Sequence, residues 1–181
     1  MRAALVKFVE TELEGVFIIE PERLRDDRGF FARTFCRREF ADRGLVAEVN
    51  QCSTSYNVKR GTLRGMHYQA DPYAETKLVR CTAGSIYDVV VDLRRDSSSC
   101  GRWIGMDLSA ADGLAVYVPA GCAHGFQTLT DGAEVFYQIS EPYVPELARG
   151  FRWNDPTFAI RWPIGDPTMS DKDRGYPDFV P

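Results

Sequence analysis

Apolar and polar residues alternate over short stretches of the chain, and turn residues separate one stretch from the next. Residues 15–20 form the first such stretch, which ends at Pro21 because proline interrupts the hydrogen bonding of a strand. The later stretches are rich in valine, isoleucine, tyrosine and phenylalanine, as strands are: residues 77–81, 85–93, 102–108, 114–118, 125–129 and 134–139. Short strands at this spacing predict an all-β sandwich or barrel rather than alternating strands and helices.

Two parts of the chain depart from this β pattern. Residues 35–43 predict one short helix, with Phe35 and Phe40 as apolar positions and Gly44 placed to end it. The tail from about Asp155 contains five of the ten prolines and is expected to wrap irregularly over the barrel. The sequence has no internal repeat, low-complexity tract or linker, so residues 1–181 are predicted to form a single domain.

Composition and charge limit the classes of function. Hydrophobic residues make up 44% of the 181, and no run of about 18 apolar residues predicts a helix across a membrane. The first seven residues, MRAALVK, lack the apolar core and cleavage site of a signal peptide, so a cytoplasmic location is expected. The net charge of −4 argues against sequence-independent nucleic-acid binding. A few arginines could still bind a small anion.

The five cysteines are odd in number, scattered and without a C-x-x-C pair: Cys36, Cys52, Cys81, Cys100 and Cys122. This pattern indicates neither a disulfide framework nor a zinc site. All five are expected to be small buried hydrophobic residues.

The chain has two histidines that could carry chemistry, His67 and His124. His67 lies in residues 61–69, GTLRGMHYQ, where a regular strand would point Arg64 and His67 to opposite faces. Gly65 between them could permit a bulge that brings both side chains into one pocket.

Two charged residues lie at or within apolar strands. Lys77 opens a strand and is either its solvated end or a cation directed into the mouth of the barrel. Asp88 falls within the apolar residues 86–93. Because burying an unpaired carboxylate is costly, Asp88 is expected either to be paired or to face a cavity.

His124 lies in residues 118–126, VPAGCAHGF, whose P-x-G-x-x-H spacing resembles the second conserved motif of cupins. In a metal-binding cupin, the first motif would supply H-x-H and, some residues later, a glutamate. Here His67 stands alone, and Gln69 occupies the place of the second histidine. Two histidines without a reliable carboxylate make a poor site for a transition metal, so the sequence predicts a cupin that uses no metal.

Tyr137 and Asp173 are ordinary residues when taken alone, the first in a strand and the second in a solvated turn at residues 171–174. They matter because the chain resembles the dTDP-4-dehydrorhamnose 3,5-epimerase family from Gly15 to about Asp178. Seven segments match in order and at the family's spacing: residues 26–31 (DDRGFF), 61–69 (GTLRGMHYQ), 77–80 (KLVR), 87–89 (YDV), 118–126 (VPAGCAHGF), 149–155 (RGFRWND) and 170–173 (SDKD).

The resemblance implies an all-β cupin-type double-stranded β-helix, or jelly roll. It also implies epimerisation of a nucleotide-linked 4-keto-6-deoxy sugar, with dTDP-4-keto-6-deoxy-D-glucose as the expected substrate. In this family's pattern His67 is the catalytic base, Asp173 pairs with it, and Tyr137 is the acid at the opposite face. Lys77 matches the cation near the C4 oxygen of the substrate. No cofactor is expected, because the ketone itself accepts the electrons.

The resemblance also assigns residues to substrate binding. Arg28 and Arg64 match arginines that bind the diphosphate, and Arg28 would reach over from the partner subunit of a homodimer. His124 and Tyr143 match further pocket residues, and Asp88 stands at the family's position on its strand.

Two segments that hold the nucleotide depart from the family's pattern. Arg33 stands where the family usually has a glutamate, which reverses the local charge. Residues 50–52, NQC, replace the Gln-Asp-Asn of many members, and Gln51 is expected to line the nucleotide pocket. A different nucleotide, such as CDP or GDP, or a differently decorated keto sugar would fit these changes.

Several other functions stay open at the level of sequence. Epimerisation at C3 alone or C5 alone would use the same catalytic residues, because selectivity depends on how the ring sits in the pocket. A cupin ketoisomerase is disfavoured by the full set of Lys77, Tyr137 and Asp173. A non-catalytic sugar-nucleotide-binding cupin would be expected to lack His67 or Tyr137. A metal-dependent dioxygenase would be purified with bound iron, nickel or manganese.

Overall fold

The computed structural model describes residues 5–180. Residues 1–4, which belong to the N-terminal segment without the features of a signal peptide, and Pro181 at the end of the tail lie outside the described residues. Within the described range, no helix is both long enough and apolar enough to span a membrane.

Among residues 5–180 the chain forms thirteen strands, two short α-helices and one 3-10 turn at Pro145–Leu147. In chain order the elements are β1 (Val6–Glu10), β2 (Phe17–Pro21), β3 (Arg23–Asp26), β4 (Gly29–Ala32), α1 (Arg37–Ala41), β5 (Gln51–Asn57), β6 (Leu63–Gln69), β7 (Lys77–Ala83), β8 (Ser85–Asp92), β9 (Trp103–Ser109), β10 (Ala115–Val118), β11 (Cys122–Thr128), β12 (Ala133–Ile139), β13 (Ala148–Gly150) and α2 (Asp171–Arg174).

The strands form two antiparallel sheets and a separate hairpin. One sheet has six strands in the order β1-β2-β10-β7-β12-β5, the other has five in the order β13-β6-β11-β8-β9, and β3 pairs with β4. Strands that follow each other in the chain, such as β7 and β8 or β11 and β12, lie in different sheets. The chain therefore passes repeatedly between two packed sheets, which confirms the predicted all-β jelly roll.

The hydrophobic core lies between the two sheets, and a second apolar layer lies under the tail. Ile86 and Val90 of β8 point into the space between the sheets. Val89 and Val91 point the other way and cluster with Phe151 of the tail. Burial on both faces explains why this strand is apolar at almost every position.

The tail covers the five-stranded sheet with an irregular path, as predicted, until it reaches α2. The indole N–H of Trp103 donates a hydrogen bond to the carbonyl of Phe158 and fastens the tail to the sheet (2.9 Å). The prediction of a solvated turn at residues 171–174 is wrong. This segment is a helix whose first turn is capped by Ser170, and the helix turns Asp173 into the protein, where its side chain is buried.

The sequence pattern missed β1, the hairpin of β3 and β4, and β5. β5 carries the polar sequence QCSTSYN at the edge of its sheet, where it pairs with β12 and leaves most of its side chains exposed. The hairpin likewise exposes Phe30 and Phe31. A strand that buries few side chains lacks the apolar alternation by which strands are predicted.

The cysteines follow the same distinction between core and edge. Cys81 and Cys122 are buried as expected, but Cys52 and Cys100 are exposed and Cys36 is partly exposed. These three lie in edge or connecting segments, which is why the expectation of burial is wrong for them. All five are free thiols, and burial raises the pKa of Cys122 to about 12.

A bulge in β6 brings two predicted site residues together. The step from Arg64 to His67 advances β6 by three positions, whereas their partners on β11, Phe126 and His124, are two positions apart. The extra residue rotates Arg64 to the side of His67, and both line the same cavity, which confirms the role expected of Gly65. Gly65 has a φ of +133°, and a Cβ at this position would lie 2.6 Å from the Cα of Gly125.

Replacing Gly65 with alanine is therefore expected to destabilise the fold. The matched control is Gly29→Ala, because Gly29 has a similar φ of +128° but nothing within 4 Å of an added Cβ. Both variants carry backbone strain, whereas Gly65→Ala adds a clash that should cost about 1–3 kcal/mol more. Denaturant unfolding measures the free energy of unfolding of each variant. Equal losses in the two variants would show that the close approach of Gly125 adds no cost.

Candidate active site

A cavity of about 530 Å³ lies between the two sheets. β5, β7 and β12 supply residues from the six-stranded sheet, β6 and β11 supply residues from the other, and residues 170–176 contribute from the tail. Eight of the eleven predicted site residues line it: Gln51, Arg64, His67, Lys77, His124, Tyr137, Tyr143 and Asp173. The other three, Arg28, Arg33 and Asp88, lie elsewhere in the described chain.

His67 and Asp173 form a pair at the wall of this cavity. The ring nitrogen Nε2 of His67 lies 2.7 Å from Oδ1 of Asp173, although 106 residues separate them in the chain. Burial opposes the charge on Asp173, but hydrogen bonds outweigh it and lower the pKa of the carboxyl group; their donors are His67, the backbone N–H of Gly65 and Ser170. An ionised carboxylate accepts the Nε2 proton, which leaves Nδ1 as the basic nitrogen of the neutral ring.

A second histidine–carboxylate pair lies deeper. Nε2 of His124 on β11 is 2.8 Å from Oδ2 of Asp88 on the neighbouring strand β8, and both side chains are buried. Oδ1 of Asp88 has no hydrogen-bond partner among the described residues. Asp88 was expected to bind substrate, but the structure corrects this placement: the carboxylate is paired behind His124 and does not line the cavity.

Tyr137 lies on β12, in the sheet opposite to the one that carries His67. Its ring packs edge-to-face on His124, with ring centroids 6.3 Å apart. Burial raises the pKa of Tyr137 far above its ordinary value and outweighs the hydrogen bond with Ser55, which lowers it; the charge of Asp88 raises it a little further. The phenol is therefore protonated at neutral pH, as a proton donor must be.

Lys77 begins β7 and lines the cavity, where its side chain is almost completely buried. Of the two alternatives left by the sequence, a solvated end and a cation directed into the barrel, the structure favours the second. Nζ of Lys77 forms an ion pair of 2.8 Å with Oε1 of Glu75, a cavity residue that the sequence analysis did not identify. The signal was available, since Glu75 stands two positions before Lys77 and an extended chain places both on one side.

The remaining predicted residues lie towards the outer part of the same cavity. Arg64 donates from Nε to Oδ1 of Asn57 (2.8 Å), and the backbone N–H of Tyr143 donates to Oε1 of Gln51 (2.6 Å). Two further cations, Arg149 and Lys172, also line the cavity and were missed. Both lie in segments that match the family, so their positive charge within those segments could have identified them as site residues.

Arg28 and Arg33 do not reach this cavity. Arg28 lies at the turn of the hairpin formed by β3 and β4, where its side chain is 90% exposed and pairs with Asp26 (2.6 Å). Arg33 follows the hairpin and pairs with Glu39 (3.1 Å). Neither residue lines the cavity of its own chain, so their expected roles in substrate binding stay predictions.

The described residues also bear on metal binding. Between residues 5 and 180, no group of three or more histidine, cysteine, aspartate or glutamate side chains is arranged to hold a metal ion.

The chain is similar to proteins of known activity over nearly its full length. Residues 10–180 match a family model described as dTDP-4-dehydrorhamnose 3,5-epimerase. The dTDP-4-dehydrorhamnose 3,5-epimerase of Shigella flexneri is 42% identical over 173 residues, which cover 95% of this chain and 95% of the relative.

Two solved structures share the fold. The dTDP-4-dehydrorhamnose 3,5-epimerase of Bacillus anthracis, with TDP and PPi bound, has a TM-score of 0.93 and 40% identity over 97% of this chain and 100% of its own. ChmJ, a 3'-monoepimerase from Streptomyces bikiniensis in complex with dTDP-quinovose, has a TM-score of 0.86 and 34% identity over 93% of this chain and 85% of its own. This chain belongs to the dTDP-4-dehydrorhamnose 3,5-epimerase family.

Proposed function

We propose that this protein is an isomerase that epimerises a dTDP-linked 4-keto-6-deoxy sugar at C3 and C5. Its relatives carry this activity in their names. The observation that carries the proposal is the placement of His67 and Tyr137 on opposite sheets across one cavity. A sugar ring bound between them would have a base at one face and an acid at the other, which is what inversion at carbon requires.

The chemistry needs more than a base. The protons at C3 and C5 are both α to the C4 ketone, so removing either produces an enolate. General-base catalysis contributes only ~10²–10⁴-fold, or about 3–5.5 kcal/mol of the barrier. The charge that develops on the C4 oxygen must also be stabilised, and one well-placed donor supplies about 2.7–4 kcal/mol. Lys77, a cation at the cavity wall, is the proposed donor.

The pair of His67 and Asp173 suits the role of base. Because Asp173 is ionised and accepts from Nε2, Nδ1 of His67 is the nitrogen that takes the substrate proton. The carboxylate then stabilises the imidazolium that forms. Tyr137 returns a proton to the opposite face, and the regenerated ketone completes the inversion without a redox step.

Binding of the diphosphate is proposed for the cations at the outer part of the cavity. Arg64 is held by Asn57 through Nε, so its two Nη groups stay available for phosphate oxygens. Lys172 and Arg149 line the same cavity and add positive charge. Guanidinium groups stay charged at all relevant pH values and bind phosphate through paired donors.

We further propose a homodimer in which the hairpin of β3 and β4 reaches the partner's cavity. In its own chain, Arg28 is exposed at the hairpin turn and does not line the cavity. Phe30 and Phe31 on the same hairpin are exposed as well, and adjacent exposed aromatic side chains favour contact with another protein surface.

The cytoplasmic location expected from the sequence stays a prediction.

The sharing of sites is tested by mixing inactive subunits. Arg28→Ala and His67→Ala homodimers are each expected to be inactive or nearly so. After subunit exchange, one site of each hybrid dimer would contain both intact residues, so mixing should restore about half of the activity per hybrid dimer. Mass spectrometry of differently tagged subunits measures exchange. Proven exchange with no recovered activity would contradict the sharing of Arg28.

A single-position epimerase is the second candidate function. The structural similarity to a 3'-monoepimerase at 34% identity favours it. The same base, acid and cation would serve one carbon if the ring were bound at an angle that withdraws the other proton from His67.

The nucleotide is also open. Because Arg33 stands where the family usually has a glutamate, CDP or GDP stays an alternative to dTDP.

Proton exchange decides between these functions. The protein is incubated with dTDP-4-keto-6-deoxy-D-glucose in deuterated water, and NMR follows C3 and C5. Deuterium at both positions supports the 3,5-epimerase, and deuterium at one position supports a single-position epimerase. No exchange at either would contradict the proposal for this nucleotide, and CDP- and GDP-linked keto sugars would then be assayed.

A further inference from the structure

We infer that Glu75 is a positioning residue, which holds the ammonium of Lys77 where the enolate charge develops. The inference rests on the function proposed above. Nζ of Lys77 and Oε1 of Glu75 are 2.8 Å apart, and the two side chains are 11% and 12% exposed. Both line the cavity. No role had been assigned to Glu75 by the sequence.

The burial of this pair distinguishes it from ion pairs on the surface. Arg37 and Glu48 are also 2.8 Å apart, but their side chains are 74% and 58% exposed. An exposed pair contributes little, because water solvates both groups equally well when they separate. When one partner of a buried pair is removed, the other charge is left without compensation. Lys77 therefore depends on Glu75 far more than Arg37 depends on Glu48.

The backbone that carries the pair is fixed on both sides. Thr76, between the two residues, donates its backbone N–H to Oγ of Ser140 (2.9 Å) and accepts from the backbone N–H of Ser140 (3.0 Å). Nε2 of Gln69 donates to the carbonyl of Tyr73 just before the pair (2.6 Å). Glu75 thus presents its carboxylate from an anchored segment, as a positioning group must.

Within residues 5–180, the cavity lining offers no second carboxylate that is free to take over this task. Among the described residues that line the cavity, the other carboxylate is Asp173, which is engaged by His67. A lysine side chain is flexible and ends in a point charge, so without Glu75 the ammonium is free to move towards the diphosphate of a bound substrate. An ammonium has three N–H donors, so its contact with Glu75 leaves donors for the C4 oxygen.

Kinetics of three variants test the inference. Glu75→Ala is expected to lower kcat by about 10- to 100-fold with little change in KM, because a displaced catalytic group slows the chemical step rather than binding. Glu75→Gln keeps an acceptor oxygen at the same place but not the negative charge, so its kcat should lie between those of Glu75→Ala and the wild type. Glu48→Ala removes the matched surface pair and should leave kcat unchanged. Thermal unfolding of each variant separates these effects from loss of fold.

Three outcomes would overturn the inference. They are an unchanged kcat in Glu75→Ala, a change confined to KM, and a Glu75→Gln variant as slow as Glu75→Ala. The last would show that the negative charge itself is required, rather than an acceptor that positions Lys77.

A measurement without substrate separates this inference from the proposed function. The ammonium of Lys77 is observed by ¹⁵N NMR of lysine-labelled protein and assigned by its disappearance in Lys77→Met. Its signal should shift and broaden in Glu75→Ala and stay close to the wild-type position in Glu75→Gln. An unchanged signal in Glu75→Ala overturns the inference, whereas a wild-type protein that exchanges no substrate protons overturns the proposed function alone.

Discussion

Replacing His67 with asparagine is expected to slow deuterium uptake at both C3 and C5 by about 10²–10⁴-fold. The amide of asparagine keeps a donor for Asp173, but the basic ring nitrogen is lost. In the D-gluco ring the hydrogens at C3 and C5 are axial on the same face, so one base serves both carbons and both positions should lose exchange together. NMR in deuterated water, with dTDP-4-keto-6-deoxy-D-glucose as substrate, measures the two rates separately.

The matched variant is His124→Asn, which changes the chain's other histidine. Both histidines pair with a carboxylate at nearly the same distance, 2.7 Å for His67 and 2.8 Å for His124. They differ in access, because the side chain of His67 is 37% exposed and that of His124 is 5% exposed. Exchange should therefore be slower in His67→Asn than in His124→Asn. The reverse order, in two variants that unfold at wild-type temperatures, would move the role of base to His124.

Most strands that pack into the core could be predicted from sequence, whereas the polar edge strand β5 and the exposed hairpin could not. The segments predicted at residues 77–81, 85–93 and 134–139 correspond to β7, β8 and β12, which belong to the packed core. Their side chains must alternate or be apolar throughout because both sheets bury them. β5 and the hairpin of β3 and β4 are exposed, so packing places few demands on their sequence.

The cavity residues were found mainly through the resemblance, because their proximity is a property of the folded chain. Asp173 lies 106 residues from His67, and spacing alone made it part of a solvated turn. Its burial depends on the packing of α2 against β6. No local pattern in the sequence predicts that packing. The bulge at Gly65 was the exception, since a glycine between two candidate residues indicated the change of register directly.

Asp88 shows what a physical rule can and cannot supply. A carboxylate in an apolar strand had to be paired or face a cavity, and it is paired with His124 from the adjacent strand. The rule predicted that a partner or a cavity exists, but the identity of the partner depends on strand order, which the sequence did not provide. Glu75 is the converse case, where the partner was two residues away and the need for it became visible only when Lys77 proved to be buried.

Replacing Tyr137 with phenylalanine is expected to separate proton exchange from inversion. The base on the other sheet still removes the proton and returns deuterium to the same face, so exchange with retention of configuration should persist. Delivery from the Tyr137 face is lost, so formation of the epimer should fall by about 10²–10⁴-fold. Phenylalanine keeps the ring that packs on His124, so the change is confined to the hydroxyl group.

The measurement is the ratio of two rates in the same sample, deuterium uptake at C3 and C5 and appearance of the epimer. Tyr143→Phe is the control, because Tyr143 lines the same cavity but is exposed at its outer part, and removing its hydroxyl should leave the ratio unchanged. If exchange and epimerisation fell in parallel in Tyr137→Phe, the hydroxyl would be needed before the enolate forms. Because burial holds the pKa of Tyr137 far above neutrality, the phenol stays a donor across the working pH range. The wild-type ratio should therefore be independent of pH.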